Sequence, residues 1–128
     1  MKAVIRLSPR DLFEAFCKHY CTRDMKAILS LFTKDALLWG TGIDEIRRGL
    51  DEVEDQLNRD WSQSNSCTFT IEDLETDQQD QNWIAGTVTA HVNIDDVSHT
   101  LMLRGTLITK REEGRNKIRF FHSSFPAA

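Results

Sequence analysis

The chain has few cysteines, no long apolar run and no surplus of positive charge, and each shortage closes off a class of protein. Three cysteines in 128 residues, Cys17, Cys21 and Cys67, are too few and odd in number for a disulfide-stapled scaffold. Cys17 and Cys21 fall one helical turn apart, where a bridge would distort the helix, so reduced thiols in a cytoplasmic protein are expected. No segment approaches the length of about 20 apolar residues that a membrane-spanning helix needs. The opening Met1-Lys2-Ala3-Val4-Ile5-Arg6-Leu7 is too short an apolar stretch for a secretory signal. No membrane partner is therefore expected. A net charge of −4 counts against nucleic-acid binding, which usually shows as a basic patch. The adjacent pairs Arg47-Arg48 and Lys110-Arg111 read as solvated surface. There is no Gly-rich phosphate loop and no Gly-x-Ser-x-Gly elbow. Cys17-x-His19-x-Cys21 does not make a metal site, because a helix turns His19 to a different face and two cysteines do not close a zinc shell. Neither a metal nor a cofactor is expected.

What is present is a clear change of period along the chain. Ser8-Pro9-Arg10-Asp11 is a helix start: Ser8 caps, Pro9 sits where its missing N–H costs nothing, and Asp11 complements the positive end of the dipole. Leu12, Phe13, Phe16, Cys17 and Tyr20 follow at helical spacing. Asp24 caps a short second helix carrying Ile28, Leu29, Leu31 and Phe32, after which a polar turn is expected to hold Asp35 before a strand through Leu38. A third helix begins near Gly49 with an apolar stripe of Leu50, Val53, Leu57 and Trp61, while Glu54, Asp55, Asn58 and Arg59 face water.

From Cys67 the period becomes two. Ile84, Val88, Val92 and Ile94 alternate with Trp83, Ala85, Thr87, Thr89 and His91 over Trp83–Ile94. Asp95-Asp96 turns into a strand over 97–111, and Glu112-Glu113-Gly114 turns into a last one over 117–125. The later strands are apolar on both faces, with Leu101, Leu103 and Leu107 on one and Met102 and Ile108 on the other. Such a sheet needs two covers. The helices supply one, and a second copy of the chain is the natural candidate for the other. Three helices followed by a mainly antiparallel sheet make one α+β domain over 1–128.

Four segments carry a family resemblance. They are Leu31-Phe32-Thr33-Lys34-Asp35-Ala36-Leu37-Leu38, Arg48-Gly49-Leu50-Asp51-Glu52-Val53, Asn82-Trp83-Ile84-Ala85-Gly86, and Ile118-Arg119-Phe120-Phe121-His122-Ser123-Ser124-Phe125-Pro126. In that order they resemble the nuclear transport factor 2-like superfamily in its SnoaL-like branch. The resemblance implies a cystatin-like cone of curved sheet around a long helix, an apolar pocket at its open end, and a homodimer formed through the sheet. It does not imply one reaction, since the scaffold hosts unrelated activities. Ketosteroid isomerases of the superfamily use an aspartate base after the first strand, a tyrosine on the first helix and a protonated acid on a later strand. On this chain those positions fall at Gly40, near Phe16, and within Arg104–Thr106. None has the needed side chain, so catalysis of that type is not expected.

The remaining candidates each have a functional and a plainer reading. His122, placed by alternation on one face with Ile118 and Phe120, points at the pocket or core, as a hydrogen-bonded structural residue or as an acid–base group. Arg104 lies among Leu101, Met102, Leu103 and Leu107 and must be paired, with an internal carboxylate or with a ligand's acid group. Trp39, at the strand end, is core packing or a wall of the ligand site. Phe16 belongs to the pocket wall, and Tyr20 packs between helices or reaches the pocket with its hydroxyl. Asp35 serves a turn or takes part in chemistry. The reading is a homodimer that holds a small apolar or amphipathic molecule without isomerase-type catalysis. The alternatives are a small-molecule enzyme (cyclase, isomerase or hydrolase) acting through His122 with Asp35 or Tyr20, and an oligomerisation module.

Overall fold

Ser8 starts the first helix as its chemistry suggests: its hydroxyl accepts from the Asp11 N–H at 3.1 Å while the Asp11 carboxylate accepts from the Ser8 N–H at 3.0 Å. This reciprocal box, with Pro9 behind it, opens α1 (Pro9–Thr22) in the computed structural model, which describes residues 7–77, 79 and 82–127. Arg23 ends the helix in the left-handed region at φ 57°. Its guanidinium donates to the carbonyls of Trp61 at 2.8 Å and Ser64 at 2.9 Å, tying the end of α1 to the end of a later helix. Asp24 then caps α2 (Met25–Leu29) by accepting from the Ala27 N–H.

Two strands follow, β1 (Phe32–Trp39) and β2 (Ile46–Arg48), then α3 (Gly49–Ser62). Gly49 enters α3 at φ +80°, a conformation that side-chain-bearing residues rarely adopt. Four long strands complete the chain: β3 (Ser66–Thr76), β4 (Trp83–Ile94), β5 (Val97–Glu112) and β6 (Arg115–Ser124). They form one six-stranded sheet in the order β2-β1-β6-β5-β4-β3. All neighbours are antiparallel except β1 and β6, which run parallel. The fold is thus three helices on a curved, open sheet of mainly antiparallel strands, the α+β class expected. Among the described residues no helix is long and apolar enough to cross a membrane.

The helices cover one face only. Leu12, Phe13 and Phe16 of α1, Val53 and Leu57 of α3, and Ala36, Leu38, Ile84, Val88, Leu107, Ile118 and Phe121 of the strands form one buried cluster. Each such Leu or Phe stabilises the fold by roughly 1.5–3 kcal/mol through the area it removes from water. On the opposite face, cross-strand pairing aligns Leu37, Phe120, Ile108 and Trp83 in one row, and Trp39 with His122 and Thr106 in the next. This outer face leaves Trp39, Met102 and Ile108 exposed.

Three local expectations are corrected. The second helix does not run into Phe32: it ends at Leu29, the Leu31 carbonyl accepts from the Ile118 N–H at 2.7 Å, and Phe32 opens β1. Asp35 is not in a turn before the strand but inside β1, at an irregularity between Phe32 and Leu37 in the pairing with β6. The last strand also breaks its alternation. Ile108 pairs with Phe120 while its neighbour Thr109 pairs with Ile118, so Arg119 is one extra residue in β6. Ile118 is fully buried on the helix side, and Phe120, two residues on, lies on the outer side.

Candidate functional site

Between the helices and the inner face of the sheet a cavity of about 290 Å³ remains open at one end. Its walls come from the apolar stripes that made the elements fold: Phe13 and Phe16 from α1, Leu57 from α3, Phe69 from β3, Val88 and Ala90 from β4, Leu103 from β5 and Phe121 from β6. Phe16 stacks on Phe121 with ring centroids 4.4 Å apart, and Tyr20 stacks on Phe69 at 5.1 Å.

One polar corner interrupts these walls, and it is built from both helices. The Tyr20 hydroxyl donates to Asp60 Oδ2 at 3.0 Å, and Gln56 Nε2 donates to Asp60 Oδ1 at 2.7 Å. Gln56 is only 2% exposed, and its other amide atom, Oε1, is buried with no hydrogen-bond partner among the described residues. Burial raises the proton affinity of the Asp60 carboxyl, and the nearby Glu45 charge adds to this, against the two donated hydrogen bonds and the Arg59 charge, which lower it. Burial, with the Asp60 charge and hydrogen bond, pushes the Tyr20 hydroxyl upward in turn, so it stays a donor. Because α1 and α3 are clasped at their ends by Arg23, the Tyr20–Asp60 contact is held by the same packing that forms the core.

Glu45 stands at the mouth. Its backbone carbonyl accepts from the Gly40 N–H at 2.8 Å and its carboxylate accepts from the Gly42 N–H at 2.9 Å. A methyl group at Gly40 would run into the Glu45 carboxylate, which would have to swing away from its present place.

The candidates read from the sequence divide. Phe16 and Tyr20 line the cavity. His122 does not: the extra residue at Arg119 puts it with Phe120 on the outer face, exposed. Trp39 is there too, 6.1 Å from His122 and 6.2 Å from Phe120 between ring centroids, so it is neither core nor cavity wall. Arg104 borders the cavity between Leu103 and Gly105, yet its register partners Thr87 and Ser124 set its side chain on the outer face. It is exposed and hydrated rather than buried and in need of a partner. Asp35 is exposed and makes a surface ion pair with Arg119 at 3.4 Å.

Asp60 and Gln56 escaped the sequence reading. The signal was present: Val53, Gln56, Leu57 and Asp60 follow i, i+3, i+4, i+7 and share a face, with two polar residues inside an apolar stripe. The thiols behave as expected of buried cysteines. Cys21 and Cys67 are 3.8 Å apart at sulfur, and burial first of all raises Cys17 and Cys67 to about 12 each. Both are protonated at neutral pH and poor nucleophiles. No group of His, Cys, Asp and Glu suited to a metal ion occurs among the described residues.

Asp60 carries a clear expectation for pH. Its carboxyl is raised above the ordinary 3.8, so the folded chain holds a proton that the unfolded chain releases. Stability from this group is therefore greatest at or below that ordinary value and falls as pH rises through the raised one. Asp60→Asn removes the dependence, and a rotated Gln56 amide would then offer Oε1 to the new Asn N–H. Thermal unfolding of both proteins from pH 4 to 8 should show the variant gaining on the parent as pH rises. A variant that instead loses ground to the parent toward pH 8 contradicts this account of the corner.

Residues 10–128 match the SnoaL-like domain family. The chain belongs to the SnoaL-like family. Among solved structures, this SnoaL-like chain is similar to the hexachlorocyclohexane dehydrochlorinase LinA-type3 from Novosphingobium barchaimii LL02 (TM-score 0.79, 17% identity, 92% of this chain and 84% of that one). It is also similar to a ketosteroid isomerase-like protein from Erwinia carotovora atroseptica SCRI1043 (TM-score 0.72, 13% identity, 94% and 95%). A third similar structure is a protein of ketosteroid isomerase-like fold from Catenulispora acidiphila DSM 44928 in complex with trimethylamine (TM-score 0.76, 13% identity, 90% and 85%). No curated protein matches. At such identities the likeness establishes the nuclear transport factor 2-like fold of this SnoaL-like chain, whose cavity chemistry rests on Tyr20, Gln56 and Asp60.

Proposed function

We propose that the protein binds a small, largely apolar molecule in its cavity and assembles as a homodimer through the outer face of the sheet. The observation that carries the first part is the cavity of about 290 Å³, apolar over most of its wall and polar at one corner. Its size lies near the lower bound of about 300 Å³ for small-molecule sites, and this mix of wall and corner is their usual design. The neutral probe N-phenyl-1-naphthylamine, which fluoresces in apolar surroundings, should bind. Val92→Phe, which places a ring at a half-buried lining position on β4, should lower its affinity at least about tenfold by occupying space. His122→Ala should leave it unchanged. An absence of probe fluorescence with the parent protein sinks the binding reading.

The dimer reading rests on the row of Leu37, Phe120, Ile108 and Trp83 beside Trp39 and Met102, which no helix among the described residues covers. Sedimentation should give twice the monomer mass, and Ile108→Lys should return it to the monomer. A parent protein that sediments as a monomer at tens of micromolar contradicts it, and with it the plainer reading as an association module.

A second reading, acid–base catalysis, is favoured by the raised proton affinity of Asp60 in apolar surroundings, a mark of groups that move protons. Asp60, not His122, then carries the reaction. Unchanged turnover of a cavity substrate by Asp60→Asn excludes it.

A further inference from the structure

The polar corner of the cavity has acceptors to spare, and the cation that acts on it from outside the lining, Arg59, is engaged by Asp44 at 3.5 Å. A carboxylate offers about four lone-pair positions, and the hydrogen bonds from Tyr20 and Gln56 occupy two of those on Asp60. Gln56 Oε1, on a side chain that is 98% buried and lines the cavity, accepts from no group among the described residues. An orphaned amide oxygen beside a carboxylate with no direct ion pair among those residues costs free energy in the empty protein, and a donor from a ligand would recover it. Glu45 adds a second carboxylate at the mouth. The basic residue that borders the cavity, Arg104, directs its side chain to the other face of the sheet. An anionic ligand would thus meet two carboxylates and, among the described lining residues, no cation directed at it. Around the corner stand aromatic rings, Tyr20 against Phe69 at 5.1 Å and Phe16 at 5.9 Å from Tyr20, whose faces attract positive charge.

We propose that the cavity's ligand is a protonated amine on a small apolar frame, its N–H groups bonding Asp60 and Gln56 Oε1 and its frame packing against Phe16, Leu57 and Phe69. The proposal rests on the reading of the cavity as a small-molecule site and names the class of molecule that fits. An N–H-bearing ammonium satisfies the orphaned oxygen and the carboxylate together, which an alcohol does with one donor and no charge. Charge-assisted hydrogen bonds of this kind are about twice as strong as neutral ones.

The test is calorimetric titration of the full chain at pH 7.5 with benzylamine, benzyl alcohol and benzoate, and with their naphthylmethyl counterparts. The expected order is amine first, alcohol second and carboxylate last, with the amine at least about tenfold tighter than the alcohol. Asp60→Asn should weaken the amine by at least about tenfold and leave the alcohol within about twofold. Glu45→Gln, at the exposed mouth, should weaken the amine by a smaller factor. Alcohol or carboxylate binding as tightly as the amine overturns the proposal while leaving the small-molecule reading intact, as does an amine affinity indifferent to Asp60→Asn. Failure of all six compounds alongside normal binding of N-phenyl-1-naphthylamine likewise overturns the proposal alone. Failure of that neutral probe as well removes the small-molecule reading beneath it.

Discussion

Phe13→Ala should destabilise the protein by about 3–5 kcal/mol, the range for deleting a buried aromatic ring. Phe13 is 2% exposed on α1, and its ring lies over two glycines that face each other across neighbouring strands, Gly86 of β4 and Gly105 of β5. A methyl group added at Gly86 would lie 3.2 Å from Phe13 Cζ, and one at Gly105 would lie 3.4 Å from Cε2. The helix therefore seats its ring in a groove that exists because two side chains are missing from the sheet. Leucine fills that groove less completely, so Phe13→Leu should fall between alanine and the parent. Urea denaturation monitored by tryptophan fluorescence measures the loss. A cost below about 1 kcal/mol for alanine would show that the ring is not the anchor of α1. Because Phe13 also lines the cavity, the alanine variant should in addition bind bulkier probes than the parent does.

Gly86→Ala is the complementary experiment, adding a methyl where Phe13→Ala removes a ring. Its new Cβ would lie 2.7 Å from Leu74 Cδ2 and 2.8 Å from the backbone oxygen of Asp73. Leu74 can rotate away, but the Asp73 carbonyl is held in β3, so strand β3 must move. The expected cost is about 1–3 kcal/mol, typical of overpacking, and Gly86→Val should cost more. The worst clash is with backbone rather than with Phe13. The double variant Phe13→Leu/Gly86→Ala should therefore stay close to the sum of its parts, with a coupling under about 0.5 kcal/mol. A full rescue by Phe13→Leu would instead locate the strain in the ring.

The architecture was legible because its signals are local. Ser8-Pro9-Arg10-Asp11 folds into the cap its residue types specify, Gly49 opens α3, and the strand limits at Trp83 and Ile94 coincide with the period-two segment. The SnoaL-like resemblance drawn from four short segments agrees with the match over residues 10–128. The site was less legible, for two physical reasons. Counting alternation from Ile118 puts His122 on the helix side, and only pairing with β5 reveals that Arg119 is an extra residue that reverses the count. Arg104 drew attention because its neighbours are apolar, but a strand gives alternate residues to opposite faces, and its own face is open to solvent. In the other direction, Gln56 and Asp60 sit in a helix so rich in polar residues that two inward-facing ones do not stand out. Their importance emerges only when α1 brings Tyr20 within 3.0 Å.

The Arg23 clasp acts on the cavity before any molecule could enter it. By joining the last turn of α1 to the carbonyls of Trp61 and Ser64, it fixes the separation of the two helices that frame the polar corner. Tyr20, Gln56 and Asp60 are thereby oriented when the chain folds, not when a molecule arrives, and the entropy of ordering them is already spent. If the cavity binds as proposed, it is rigid where it discriminates. On that reading selectivity follows from the fixed spacing of three side chains, and loosening Arg23, three residues beyond Asp60's partner Tyr20, would blunt it without touching the ligand.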